Sequence, residues 1–387
     1  MGVNCSCFSF GKAFGDASSA EKLPEQFRPF FIAMKKLLLT FVALVCATVS
    51  YAQGSLLATL SHDGQISAYY GASALKAALE AATDGDVITL SSGQFNAVNI
   101  TKAITLRGAG MSVSTDSINP HESTIIQGDY TINLADSLAG RIVMEGLYMN
   151  GKVTYSGVLK NAQFLKCRFS SLGYSSGKIT NTAFIHCRFA DYCRIAANSN
   201  AYFINCVVNR LGQNASTSNV EMDNCFVHFQ YYYSDDVYMP NACVNTYFKN
   251  CVLAYYTYSS TSSYNSLPTS CTAYNCVGIG GGTNIFSNIA YKNNTNTWVG
   301  GSVASIFKTY TGYNSLSIIS DSETFELTDE AKTKYLGTDG TQIGLYGGNL
   351  IYNENPTTPQ ITKCNVAAKS TADGKLSVDI EVKAAEY

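Results

Sequence analysis

Between residues 160 and 280, apolar and polar positions alternate in short runs that return with nearly the same letters: FLKCRF (164–169), FIHCRF (184–189), FINCVV (203–208), MDNCFV (222–227), FKNCVL (248–253) and AYNCVG (273–278). Cys167, Cys187, Cys206, Cys225, Cys251 and Cys276 stand 20, 19, 19, 26 and 25 residues apart, with no helical period between them. A repeat of this length predicts a solenoid of short strands, one coil per repeat. Strand alternation puts each cysteine and the residue two after it on one face, which points inward in a coil wrapped around a core. Phe164, Phe184, Phe203, Met222, Phe248 and Ala273, three before each cysteine, add a second apolar column.

The residue just before the cysteine is Asn205, Asn224, Asn250 or Asn275 in four units, and Lys166 or His186 in the first two. Asparagine tolerates a left-handed backbone and can hydrogen-bond to its counterpart in the next coil, so an asparagine ladder at a tight turn is expected. The cysteines then form an internal column of small apolar groups whose members face the same way and stay unbridged. None of them shows the close pairing that structural zinc sites favour, and no metal is expected.

The flanks extend the pattern. ASALKAALEAAT (72–83) is amphipathic and predicts a helix that caps the open end of the solenoid. Short β-rich runs separated by Gly and Asn turns follow it. After Pro356 and Pro359, the alternating runs ITKCNVAAK and KLSVDIEVK flank STADG, which predicts a β-hairpin over 361–383.

The helix followed by GDVITLSSGQF, ITKAITLRGAG and STIIQGDYTI resembles the opening coils of right-handed parallel β-helix proteins of the pectate-lyase-like superfamily. DGTQIGLYGG (339–348) is similar to the closing coil of secreted β-helix proteins of anaerobic Gram-negative bacteria. The resemblance spans roughly residues 70–350. It implies an all-β fold: a right-handed parallel β-helix over 53–355, with an N-terminal capping helix and a C-terminal β-hairpin tail over 356–387. That superfamily includes lyases, hydrolases, adhesins and proteins with no known reaction, so the resemblance implies a fold and leaves activity open.

Charge and address narrow the partners. Only 14% of residues are charged and the net charge is −2, with no basic stripe, which argues against nucleic acid. Met34, Lys35 and Lys36, the apolar run LLLTFVALVCATV and the exit SYAQ predict a secretory signal over 34–52 and a mature start at Gln53. No membrane span is expected after cleavage, and residues 1–33 are expected to be an extension from a start codon assigned too early. Cys46 follows Val45 where a lipoprotein signal needs a small residue, so no lipid anchor is expected. The expected location is the periplasm, the outer surface or the medium, and the expected state is a monomer.

Two sets of residues are candidates for chemistry. Asp191, Arg194, Arg210, Asp235 and Asp236 lie four, seven, four, ten and eleven residues after their cysteines and could converge as the acid cluster and arginine that a lyase needs; calcium enters only on that reading. Tyr231, Tyr232, Tyr233, Tyr238, Tyr255, Tyr256 and Tyr258 form two Tyr-rich loops in consecutive coils. Tyrosine offers a flat face and a polar rim suited to sugar rings. The expectation is therefore non-catalytic binding of carbohydrate or another cell-surface partner. The alternative is a calcium-dependent lyase, or a glycoside hydrolase, acting on an acidic polysaccharide.

Overall fold

The computed structural model describes residues 56–113, 122–135, 142–213, 218–230, 240–256, 266–280, 284–289, 295–300, 305–310, 319, 323–357, 359–366 and 378–383. Within these the chain is a right-handed parallel β-helix. The first sheet begins with an antiparallel hairpin, Leu57–His62 and Gln65–Tyr70, that pairs with Val87–Leu90. From there each coil adds one parallel strand, through Gln163–Leu165, Thr182–Ile185, Asn200–Ile204 and Asn219–Asp223 to Thr272–Tyr274. The second sheet grows in step from Gly93–Asn96 through Tyr148–Lys160, Arg168–Tyr174, Arg188–Ile195 and Phe226–Gln230 to Thr297–Gly300.

The repeat of the sequence is the register of the sheets. Phe164, Phe184, Phe203, Met222, Phe248 and Ala273 pair in succession across the first sheet. Phe169, Phe189, Val208, Val227 and Leu253, each two after its cysteine, pair across the second. Both columns point inward and stack: the Phe164, Phe184 and Phe203 rings are 4.9 and 4.8 Å apart, and Phe169 lies 4.8 Å from Phe189. Each such ring is under 2% exposed, worth about 1.5–3 kcal/mol of burial.

The turn between the sheets explains the two letters that precede Arg168 and its counterparts. Lys166, His186, Asn205, Asn224, Asn250 and Asn275 all have φ between 46° and 54°. Their N–H groups donate to the coil above, as from Lys166 to Ile185 (2.9 Å) and from Asn205 to Asp223 (3.0 Å). The cysteine that follows turns its sulfur into the core. The backbone N–H groups of Cys187, Cys206, Cys225 and Cys251 each donate to the sulfur of the next coil at 3.4 Å, and each thiol in turn donates to a carbonyl of the coil before. Desolvation is the largest influence on every thiol of the column and acts upward, carrying Cys167 up to about 12. Buried thiols that each donate to a carbonyl keep their protons, and we take the column as protonated. The cysteines whose side chains are described are all free.

The first helix, α1 (Ala74–Ala81), buries Ala74, Leu75, Ala78 and Leu79 over the first coil. Lys102 closes its C-terminus by donating to the carbonyls of Leu79 (2.7 Å) and Glu80 (2.9 Å), where the helix dipole favours a cation.

Two expectations change. The asparagine ladder is side chain to side chain where Asn275 donates to Asn250 (3.0 Å), but Asn205 instead donates to the carbonyls of Leu345 and Gly347, both at 2.8 Å. The reason is that residues 336–355 are not a closing coil. They run as a strap along the turn column, against the direction in which the solenoid grows. Asn275 holds Leu336 (2.7 Å), Asn250 holds Thr338 (3.1 Å), His186 donates to Leu350 (3.2 Å), and Lys166 grips Asn353 (2.7 Å) and Asn355 (2.9 Å). Glycine lets the strap lie this close: at Gly344, with φ +75°, a Cβ would stand 2.9 Å from Val252.

The strap and the segment before it also cover the outside of the second sheet. Val207, Phe226, Val252 and Val277 point outward in one column and are buried under Ile306, Phe307, Tyr310, Phe325, Leu327 and Leu345. Phe226 stacks on Phe325 at 4.1 Å. A second short helix, α2 (Asp329–Lys334), is capped by Thr328 and buries Ala331 in this layer. Beyond the strap, Gln360–Val366 and Val378–Lys383 pair antiparallel.

Candidate functional site

The outward column of the second sheet reads Gln94, Ile125, Tyr148, Arg168, Arg188, Val207, Phe226, Val252, Val277 in spatial order. From Tyr148 onward each stands two after a left-handed turn residue, and register carries the same outward parity back to Ile125 and Gln94. From Val207 onward the column is apolar and covered. Before it the column is mostly polar and, among the described residues, exposed or half-buried from Gln94 to Arg168, and the border falls at the two arginines, of which Arg188 is buried.

Arg168 and Arg188 are register partners in adjacent strands, about 4.8 Å apart at the backbone. The Arg168 guanidinium lies 4.2 Å from the centre of the Tyr148 ring, a cation–π contact that fixes its plane. Arg188 is only 4% exposed; it donates to the Glu323 carbonyl (3.2 Å), stands 3.6 Å from the Glu354 carboxylate and lies 5.7 Å from the Phe325 ring centre. These groups line a cleft of about 350 Å³. Its floor is Ile125, Tyr148, Arg168 and Arg188; Met111, Ser112, Val113 and Ser123 form one wall, and Glu354 from the strap forms the other. Beside the cleft runs a neutral row in which Asn150 donates to Gln127 (2.7 Å) and Tyr148 and Ser170 both donate to Asn150 (3.1 and 3.4 Å). The surface thus offers cations, a carboxylate, hydroxyls and amides on one rigid sheet.

The residues picked out from the sequence are placed differently. Arg210 and Asp191 do meet, as an ion pair reinforced by Arg210 Nε donating to the Asp191 carbonyl (3.1 Å) and by Ser171 donating to the Asp191 carboxylate (3.2 Å). The pair is part of a packed network rather than an open site. Asn209 donates to Ala190 (2.9 Å) and bonds His228 at 2.9 Å, and His228 is 1% exposed. Burial, and secondarily the Arg210 charge, push the His228 pKa down to about 3, so the ring is neutral and its Nδ1–H donates to Asn209. The Arg194 guanidinium lies 5.7 Å from the Tyr192 ring centre. Asp235 and Asp236 lie outside the described residues; among the described candidates the Arg210–Asp191 ion pair is the contact the structure shows.

Of the tyrosines, Tyr231, Tyr232, Tyr233, Tyr238 and Tyr258 lie outside the described residues, and Tyr256 ends the strand Val252–Tyr256. Tyr255 is a correction: alternation turns it inward, and at 3% exposure it belongs to the core rather than to a ligand platform. Among the described residues no group of three or more His, Cys, Asp or Glu is gathered to hold a metal ion.

Tyr148, Arg168, Arg188 and Glu354 were not singled out from the sequence. A signal existed for two of them. KCRF and HCRF place an arginine one after the cysteine in consecutive repeats, and the parity that turns the cysteine inward turns that arginine outward. Glu354 had none, since its place depends on the strap.

Comparison with known proteins adds little to this picture. No family model matches the chain, and no curated protein matches it. Among solved structures, it is similar to a mutant of the PL6 family alginate lyase AlyGC at 12% identity and a TM-score of 0.16, over 71% of this chain. The match spans 58% of that lyase.

Proposed function

We propose that this protein is an exported carbohydrate-binding β-helix whose ligand lies on the open coils of the second sheet, across Gln127, Tyr148, Asn150 and Arg168. The observation that supports this most is the change along a single outward column. Where the column is apolar the chain covers it with its own C-terminal segment, and where it is Tyr148, Arg168 and Arg188 the described residues leave a cleft. A polar floor bordered by an apolar wall matches what a sugar needs, hydroxyl partners together with a surface for its C–H face. The amide row provides donors and acceptors at strand spacing, so successive coils can meet successive parts of an extended chain. The partner would be a polysaccharide, free or displayed on a cell surface, and the protein would act as a monomer. Among the described residues no helix is long and apolar enough to cross a membrane.

The experiment is titration of the protein with a panel of neutral and acidic polysaccharides, with reducing-end release followed in the same samples with and without calcium. Saturable binding that falls at least tenfold in Arg168→Gln, without release, is the expected result. Binding unaffected by Arg168→Gln would remove the cleft from the reading. Release of reducing ends would favour the lyase instead, with Glu354 and Arg168 facing one cleft as its acid–base and charge-neutralising groups.

A further inference from the structure

The first sheet has an outer face of its own, distinct from the cleft. Across its strands Asn200–Ile204, Asn219–Asp223, Thr246–Lys249 and Thr272–Tyr274, register aligns Tyr202, Glu221, Tyr247 and Thr272 in one column. Ile204, Asp223, Lys249 and Tyr274 form the next. Phe203, Met222, Phe248 and Ala273 lie between the two columns in sequence and are at most 1% exposed, so alternation turns both columns outward. Phe226, an outward ring of the second sheet, is covered and 1% exposed; here Tyr202 and Tyr274 are only half-buried and Tyr247 is 38% exposed. Ile204 and its register partner Ile185, both half-buried, extend the surface toward the earlier coils. A contiguous apolar surface left open in this way marks a contact face.

We propose that Tyr202, Glu221 and Tyr247 form a second binding site, for a neutral, extended β-1,4-linked glycan that lies along the solenoid axis. Tyr202 and Tyr247 stand two strand spacings apart, about 10 Å along that axis. This is close to one disaccharide repeat of an extended β-1,4-linked chain, in which every second ring turns the same face to one side. Two such rings can therefore stack on the two tyrosines, whose flat apolar faces and polar rims suit them. Glu221 is exposed between the tyrosines, where its carboxylate accepts hydrogen bonds from hydroxyls of the intervening ring. Burial raises the Tyr247 hydroxyl pKa, so its tip stays a neutral donor and acceptor. The charges of these strands select against an acidic chain. Lys249, the cation in the two columns, already donates to Asp223 at 3.0 Å, and Glu221 would stand against any acid group on the ligand. The site lies on a different sheet from the cleft and does not depend on the cleft's reading.

The test is titration of the intact protein with cellohexaose and xylohexaose, both neutral and β-1,4-linked, and with maltohexaose, whose α-1,4 linkage curls the same glucose rings. At least one β-linked probe should bind at least tenfold more tightly than maltohexaose. Tyr202→Leu and Tyr247→Leu, which keep apolar bulk on the sheet and remove the ring, should each lower that affinity about tenfold. Tyr247→Phe, which keeps the stacking face, should lower it less than threefold, and Glu221→Ala, at an exposed position that folding does not need, about fivefold. Arg168→Gln should leave it unchanged. Failure of both β-linked probes to bind, equal binding of maltohexaose, or unchanged affinity in both leucine variants and in Glu221→Ala overturns the proposal. Loss of binding in Arg168→Gln with retention in the leucine variants overturns it too, and assigns the neutral chain to the cleft instead.

Discussion

The two halves of the second sheet share a backbone ladder, an inward phenylalanine or aliphatic column and the same turn, yet their outer faces behave in opposite ways. From Val207 to Val277 the outer column is buried under a second hydrophobic layer; from Gln94 to Arg168 it is exposed or half-buried among the described residues. The neighbouring outward positions show the same contrast. Gln127 and Asn150 bond to one another in the open half, whereas Asn209 and His228 form a bond of similar length, sealed from solvent, in the covered half. In a solenoid the inner face determines whether coils stack, and the outer face is left to determine what each coil meets.

The sharpest way to break this comparison is to delete one outward side chain from each half. Phe226→Ala removes a ring packed on Phe307, Tyr310 and Phe325 and should cost about 3–5 kcal/mol, read as a lower denaturant midpoint. Arg168→Gln, three coils earlier in the same column, should stay within about 0.5 kcal/mol of the wild type. Comparable losses from both would mean that the open half is also structural.

Acid should expose the covered half next. The folded pKa of His228, about 3, lies below the unfolded value of about 6.5, so the unfolded chain binds its proton first. The stability this neutral ring contributes is fully present above pH 6.5 and is lost as pH falls toward 3. Between pH 7 and 5 the loss should be about 2 kcal/mol, and it should disappear in His228→Asn. Burial lowers His186 as well, so the strap contact adds to the residual slope of that variant, while His62, raised by Asp86, works against it. A slope unchanged in His228→Asn would show that the covered network does not seal this ring.

The smallest effect separates the turn from the strap. Asn205→Ala loses both left-handed tolerance and the bonds to Leu345 and Gly347, and should cost about 1–2 kcal/mol in thermal or denaturant unfolding. Asn205→Gly restores the backbone conformation alone. If glycine recovers the full loss, the strap bonds contribute nothing measurable.

Much of this architecture can be read in the letters because it is local and periodic. The period of about 20 residues, the alternation around each cysteine and the positive φ at Asn205, Asn224, Asn250 and Asn275 need no more than the chain's own geometry and its copy one coil away. The same parity would have pointed Arg168 and Arg188 outward. It also turns Tyr255 inward, although a cluster of tyrosines suggests a surface loop.

What the sequence by itself determined, then, is the coil: its length, its inner columns, its turn and the unbridged thiols within it. The tertiary structure alone decided which outer positions are surface. The strap reaches back from residues 336–355 to turns as early as Lys166, and such a contact has no period to betray it. The cleft shares that origin, because Glu354 and Arg168 are neighbours only once the strap has crossed the coils. Stacking follows from repetition along the chain, whereas covering depends on two distant, non-repeating surfaces fitting each other.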